Sequence, residues 1–394
     1  MRHSDTRIAA VRSGLTARTE VLPEGEDLLD YLGTGGAAWL DGSRGFVTSG
    51  IVAIVHPAEA VSTLRSIARD DVDAAPDVVG PRAFGALPFA GGGRMIVPAR
   101  IVERGPDGRL WCTEIEPARA PVAPRAHIAP TPATRYVITR STEPDAWAAN
   151  VASVLARIAS KAVEKVVLAR EVLIEADEPF DIPTVIDTLR TTQPGCVVYA
   201  DDGFVGASPE LLVRRTGADV MARPMAGTGP RADELVRSDK DRREHRLVVD
   251  AVVDALSASC DNAVALGTAP VALTDLTHLA TTITARVRDL ETSAVDLALT
   301  LHPTPAVAGT PRATAVAAIA ELEATPRDLY AGPCGWVDAN GDGEFVVALR
   351  GAQIDGSRAR LHAGAGIVAG SQADAEWAET QVKLEPMLRA LVRP

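Results

Sequence analysis

The sequence predicts an α+β protein in which antiparallel strands and helices come in blocks. Three observations predict it. Short β-branched runs are punctuated by glycine-rich or Asp-Gly turns, as around residues 45–55, 165–174 and 196–215. Apolar residues recur at helical spacing in three separate stretches, about 146–162, 231–256 and 373–391. The two kinds of stretch do not alternate strictly, which disfavours a doubly wound parallel sheet. No internal repeat is seen.

Taken in order, residues 1 to about 116 read as strands of an antiparallel sheet, for example Gly45 to Val55 and the Arg94-Met95-Ile96-Val97 run after Gly91-Gly92-Gly93. A proline-rich connection follows, with Pro117, Pro121, Pro124, Pro130 and Pro132, where sheet pairing is poor. We therefore divide the chain into a β-rich N-terminal subdomain with its connection, 1–134, and a region 135–394 that carries the chemistry. In that region a helix is expected over 146–162, with Trp147, Val151, Val154, Leu155 and Ile158 at helical spacing. A strand runs from Lys165 to Ile174, and a hairpin of 196–200 with 203–215 turns at Asp201-Asp202-Gly203. Arg231 to Leu256 is largely helical, 330–370 forms further hairpins, and a closing helix covers about 373–391 with a kink expected at Pro386.

Composition narrows the function. With 394 residues, 46% apolar and 23% charged, the chain is long enough for a sizeable core. Its net charge of −12, with no basic stripe, argues against binding nucleic acid or a membrane surface. An anionic substrate would need local cations, either side chains or a metal. No signal-peptide run opens the sequence and no stretch approaches the ~20 apolar residues of a membrane span, so a cytoplasmic location is expected. The four cysteines are scattered without a Cys-x-x-Cys pair, as reduced cytosolic thiols would be, and Cys260 is expected to close an apolar helix. No His-x-x-x-His occurs, which disfavours zinc. No heptad or apolar surface helix stands out, and a monomer is expected.

The most informative stretch is the closing helix. Glu376, Glu379 and Lys383 line up beside the apolar stripe of Trp377, Leu384, Leu388 and Leu391. Such a helix is either a solvated ion-pair face or the wall of a site that holds a divalent cation and an anion. Glu244 shares a helix face with Val248, Ala251 and Ala255, so it either lies near solvent at a helix N-terminus or needs a cation. Joined with Glu376 and Glu379 it would make an incomplete oxygen shell of the kind that suits Mg²⁺. Lys165, at the start of its strand, is either an edge lysine or a general base whose ammonium form burial disfavours. Glu210 shares a strand face with Leu212 and is either a partner of Arg214 or Arg215 or an acid with a raised pKa. Two motif-like stretches carry no such chemistry. Asp338 to Gly343 opens like an EF-hand loop, but Leu349 stands at its twelfth position. Gly364 to Gly370 lacks the βαβ setting of a dinucleotide site, although its first two glycines can bring backbone N–H groups close to a carboxylate.

Several segments, in order, resemble the chorismate-utilising enzymes: Lys165–Arg170, Gly206–Leu212, Pro224–Thr228, Glu244–Asp250, His278–Thr281, His302–Gly309, Tyr330–Trp336, Arg350 and Ala363–Lys383. That family includes anthranilate synthase component I, aminodeoxychorismate synthase, salicylate synthase and isochorismate synthase. The resemblance runs from about 135 to 392 and implies large antiparallel sheets packed face to face, with helices on the outside. It implies Mg²⁺ on Glu244 and Glu379, with Glu376 close by or acting through water. The metal, Lys383 and the Gly364/Gly366 backbone would hold the ring carboxylate of chorismate. Tyr330 and Arg350 would hold the enolpyruvyl carboxylate, and His278 would line the ring pocket.

Three positions select among family members. Lys165 stands where the water-adding enzymes have lysine and anthranilate synthases typically have glutamine. Ala226 occupies the place of the nucleophilic lysine of aminodeoxychorismate synthases. The loop His302-Pro303-Thr304-Pro305-Ala306-Val307-Ala308-Gly309 is similar to that of isochorismate synthases, the lyase members tending to have threonine at Ala306. Only Thr282-Ile283-Thr284-Ala285 is closer to the lyase members. The resemblance thus implies an Mg²⁺-dependent isochorismate synthase with Lys165 as base and Glu210 as acid, serving siderophore or menaquinone biosynthesis. Salicylate synthase and a non-catalytic chorismate-binding homologue are the alternatives.

Overall fold

Strand pairing dominates the chain. The computed structural model describes residues 14–23, 27–71, 76, 79–116, 131–229 and 231–392, so the proline-rich connection up to residue 130 lies outside the described residues. Among the described residues, 21 strands form one hydrogen-bonded network. Its pairings are antiparallel apart from a two-residue contact of 16–17 with 68–69. The first hundred residues are woven into the rest. The Ala38–Asp41 strand pairs with Val197–Asp201, and Arg82–Ala86 pairs with Pro333–Asp338.

Side-chain alternation along the Val197–Asp201 strand shows how the layers pack. Val198 and Ala200 join a cluster with Val185 and Leu189 of the Ile182–Thr192 helix and Leu384 and Leu391 of the closing helix. Val197 and Tyr199 face the other way, into a cluster of strand residues that includes Trp39, Phe84 and Val346. One face of this part of the sheet is thus covered by helices and the other by strands, the sheet-on-sheet arrangement expected.

Local chemistry explains where the elements break. The expected 203–215 strand is two strands, Phe204–Ser208 and Leu211–Thr216, separated at Pro209-Glu210. Pro209 has no N–H to offer a ladder, and Glu210 sits in the gap rather than in strand alternation. The expected 231–256 helix is also two, Ala232–Arg237 and Asp239–Ser257. Ser238 separates them: its hydroxyl accepts from the Asp241 N–H at 3.2 Å and caps the longer helix. Cys260 opens the Cys260–Ala272 strand instead of closing a helix. The closing helix runs unbroken from Ala373 to Val392 through a buried Pro386. Four described helices had no counterpart in the sequence reading: Ala60–Arg65, Ile182–Thr192, capped by Asp181, Ala294–Leu301, with a capping box of Ser293 and Asp296, and Arg312–Leu322. The Asp338–Gly343 segment is a hairpin turn between the Pro333–Asp338 and Gly343–Val347 strands.

The strand pair that positions the site is Lys165–Ala176 with Arg358–Ile367, in which Val167 faces Gly366 and Ala169 faces Gly364. Even spacing places Lys165, Val167, Gly364 and Gly366 on one face. The Asp239–Ser257 helix brings Glu244 toward that face, and the closing helix brings Glu379 and Lys383.

Candidate active site

A cavity of about 730 Å³, its open mouth included, lies over this face. Lys165 enters it almost fully buried, at 1% exposure, and its Nζ meets Glu244 Oε1 at 2.9 Å. The pair fits because Gly366 has no side chain. A Cβ there would lie 2.5 Å from Glu244 Oε1 and 2.9 Å from Lys165 Cε. The strand carrying Lys165 is pinned from outside the cavity. Buried Arg327 donates to the Val167 carbonyl at 2.9 Å and to the Val307 carbonyl at 2.6 Å, tying the strand to the loop that carries Ala306.

Glu210 lines the same cavity and is buried. Burial pushes its carboxyl up to about 7, although a Met225 backbone hydrogen bond and the Lys165 and Lys383 cations pull it down. Desolvation outweighs two ammonium groups, so Glu210 carries a proton in a substantial fraction of molecules near neutral pH. A buried amine and a protonated carboxyl facing one space can take and give a proton in a single reaction, the amine doing so from its neutral form.

At another part of the wall are His278, Arg350 and Tyr330. Arg350 Nη2 donates to His278 Nε2 at 3.3 Å, which assigns the ring proton to Nδ1, donating to Thr228 Oγ1 at 3.1 Å. Burial, then Arg350 and Lys383, hold His278 well below its ordinary pKa, so it is neutral. Arg350 makes no ion pair among the described residues, and it holds φ at +53°, the left-handed region. A guanidinium held in an unfavourable backbone conformation without a carboxylate is ready for an anionic ligand. Burial pushes the Tyr330 hydroxyl up to about 12, which keeps it a hydrogen-bond donor.

Each carboxylate proposed for a metal has a lysine. Glu244 has Lys165, and Glu379 has Lys383 at 2.5 Å, which also donates to the Gly364 carbonyl at 2.9 Å. Glu376 is buried and bonded to Lys240 at 3.1 Å, and it does not line the cavity. Among the described residues no three His, Cys, Asp or Glu side chains form a ready metal shell. Glu244 and Glu379 nevertheless fit a hard dication, since carboxylate oxygens from two helices line one cavity. Burial raises the pKa of Asp241, and repulsion from Glu244 and Glu379 raises it further. A dication would relieve that repulsion.

Comparison with known proteins gives the chain a family. The family model described as "Chorismate binding enzyme" matches residues 97–392. The chain belongs to the chorismate-binding enzymes. Among relatives of this family, isochorismate synthase DhbC of Bacillus subtilis is 34% identical over 335 residues, 79% of this chain and 81% of its own. Isochorismate synthase EntC of Escherichia coli K12 is 39% identical over 254 residues, 60% of this chain and 65% of its own. The solved structure of MenF, the menaquinone-specific isochorismate synthase of Escherichia coli, has a TM-score of 0.81 at 25% identity, covering 99% of this chain and 97% of that one. Anthranilate synthase component I of Streptococcus pneumoniae shares the fold, with a TM-score of 0.68 at 18% identity over 99% of this chain and 95% of that one.

Of the site residues named from sequence in this chorismate-binding enzyme, Lys165, Glu210, Glu244, His278, Ala306, Tyr330, Arg350, Gly364, Gly366, Glu379 and Lys383 all line the one cavity. Glu376 does not. Four neighbours went unnamed: Asp241, Lys240, Thr228 and His362. Asp241 and Lys240 lie three and four residues before Glu244 on its helix, a spacing that could have found them. His362 lies two residues before Gly364 on the same strand, so alternation, which puts it on the face of Gly364 and Gly366, could have found it.

Proposed function

We propose that this chorismate-binding enzyme is an isochorismate synthase, with salicylate formation excluded from its main product. The observation that carries the reading is the joint burial of Lys165 and Glu210 on one cavity, with Glu210 held near the pKa a general acid needs at neutral pH. Lys165, which must first give its ammonium proton to solvent, accepts as the neutral amine a proton from a water molecule as that oxygen bonds to C2 of chorismate. The ring double bonds shift, the C4–O bond breaks, and the proton on Glu210 goes to the departing hydroxyl, which leaves as water. One water enters and one departs. Proton exchange with solvent then returns Lys165 and Glu210 to their starting forms.

The other residues hold the substrate. Arg350 and Tyr330 suit the enolpyruvyl carboxylate, and Lys383 suits the ring carboxylate. Neutral His278 stands against the ring and fixes Arg350. Glu244 and Glu379 are the proposed ligands of Mg²⁺, with Glu376 acting through Lys240 to anchor the helix. Bound there, the metal supplies positive charge for the ring carboxylate. Ala226 lines the cavity where a covalent lysine route would need an amine, and Ala306 lines it with a small apolar side chain.

Chromatography of the products from chorismate, with and without Mg²⁺, tests the reading. Isochorismate should form only with metal, and Lys165→Ala should lower kcat by about 10²–10⁴-fold, the usual range for losing a positioned base. A salicylate peak growing with enzyme, or full turnover by Lys165→Ala, would overturn it.

A further inference from the structure

His362 lines the cavity, yet neither the acid–base pair nor the carboxylate-holding residues account for it. Strand register sets it opposite Glu171, on the face that also carries Lys165 and Gly366. Glu171 lies behind it, with Oε2 3.5 Å from His362 Nε2. Both atoms are buried and without a hydrogen-bond partner among the described residues. Two polar atoms facing each other unbonded are expensive in a dry interior, and one proton between them would satisfy both. Tyr330 stacks on the imidazole, ring centroids 5.2 Å apart and planes 17° from parallel. His362 therefore sits against Tyr330, one of the two residues proposed to meet the enolpyruvyl carboxylate.

Burial and the surrounding charges hold the imidazole in its neutral form, with a single N–H, before a ligand enters. Burial, then Arg360 and Arg327, bring the imidazole down to about 4, while Asp328 acts the other way. Arg360 is itself shared between Asp328, at 2.7 Å, and Glu171, at 3.6 Å, and Arg327 is held by Glu323 at 2.5 Å. Burial also raises the pKa of Glu171, with Arg360 opposing and Asp328 adding to the rise. An incoming carboxylate adds the negative charge that favours the imidazolium.

We propose that His362 takes up a proton from solvent when the dianionic substrate enters, donating Nε2–H to Glu171 and adding a positive charge to the cavity wall that also carries Arg350. The inference rests on the reading of the cavity as a chorismate site. The pH dependence follows by linkage. Above the pKa of the empty site the free protein lacks the proton and the complex gains it, so affinity falls as pH rises. The fall ends where the complex itself loses the proton.

The test is steady-state kinetics with chorismate and Mg²⁺ from pH 5 to 8.5, for the wild-type protein, His362→Phe and His362→Gln. Glu210 titrates in all three, so the ratio of variant to wild-type KM isolates His362. That ratio should be largest at pH 5 and fall toward a plateau by up to about tenfold per pH unit, while the kcat ratio stays flat. A purely structural role would shift KM equally at every pH. Gln retains a hydrogen bond without titrating, so it should behave as Phe does and also covers a Phe variant that folds poorly. A flat KM ratio for His362→Gln, with chorismate turned over, overturns this proposal alone. Absence of turnover by the wild-type protein at every pH overturns it together with the functional reading.

Discussion

Glu210→Gln should inactivate the protein and stabilise it, and the stabilisation should depend on pH. The carboxyl's rise from its ordinary 4.5 to about 7 comes chiefly from burial. At 1.36 kcal/mol per unit, that rise corresponds to about 3 kcal/mol between the two protonation states. Below about pH 4.5 the folded and unfolded chains both hold the proton and the penalty vanishes. Between there and about 7 the unfolded chain ionises while the folded one does not, so stability is lost as pH rises. Above about 7 the full penalty applies. Glutamine keeps the shape and never ionises. The stability difference between variant and wild type, from urea denaturation, should therefore grow by about 2–3 kcal/mol between pH 5 and pH 9. Over the same range kcat should fall by about 10²–10⁴-fold, as for a lost general acid. A pH-independent stability difference would show that Glu210 is not held protonated by burial. Near-normal kcat would remove it from the chemistry.

Two more substitutions probe how the site is built. Gly366→Ala places a methyl group 2.5 Å from Glu244 Oε1, at the flexible end of that side chain, so the fold should survive while the Lys165–Glu244 pair is displaced. Turnover should drop at least about tenfold with thermal stability changed by about 1–3 kcal/mol, the usual range for an added core methyl, and unchanged turnover would show that the pair's geometry is irrelevant. Arg350→Lys keeps the charge but loses the planar fork that meets His278 and, on the proposed reading, would meet the substrate carboxylate. KM for chorismate should rise about tenfold with kcat less affected, and a pure kcat effect would move Arg350 from binding to chemistry.

Much of the fold and site was legible because the decisive residues sit in short segments whose local pattern and order are both informative. Lys165 heads a β-branched strand, Glu244 and Glu379 lie on amphipathic helices, and Gly364 and Gly366 alternate on a strand. The errors have local causes. Pro209 and Ser238 each break an element whose apolar pattern continues across the break, so periodicity alone misses the boundary. Glu376 looked equivalent to Glu379 by spacing, yet it points along the buried row of Thr380 and Leu384 toward Lys240. Three residues along a helix turn a side chain by about 300°, enough to move one carboxylate off the cavity while its neighbour stays on it.

The pairing of carboxylates with lysines explains how an acidic chain can accept a dianion. Lys165 joins a strand to the Glu244 helix, Lys240 joins that helix to Glu376, and Lys383 holds Glu379 within the closing helix. In this state the three pairs neutralise one another's charge and fix three elements around the cavity. Among the described lysines and arginines that line the cavity, Arg350 is the one without an ion-paired carboxylate. On the proposed reading, Glu244 and Glu379 would hold the metal, which would leave Lys165 and Lys383 free to meet water and substrate. The same pairs thus serve as structural ties before binding and as chemical groups after it. Arg350 apart, a site assembled this way would keep its buried charges paired at each stage, which a set of unpaired lysines or unpaired carboxylates in the same cavity would not.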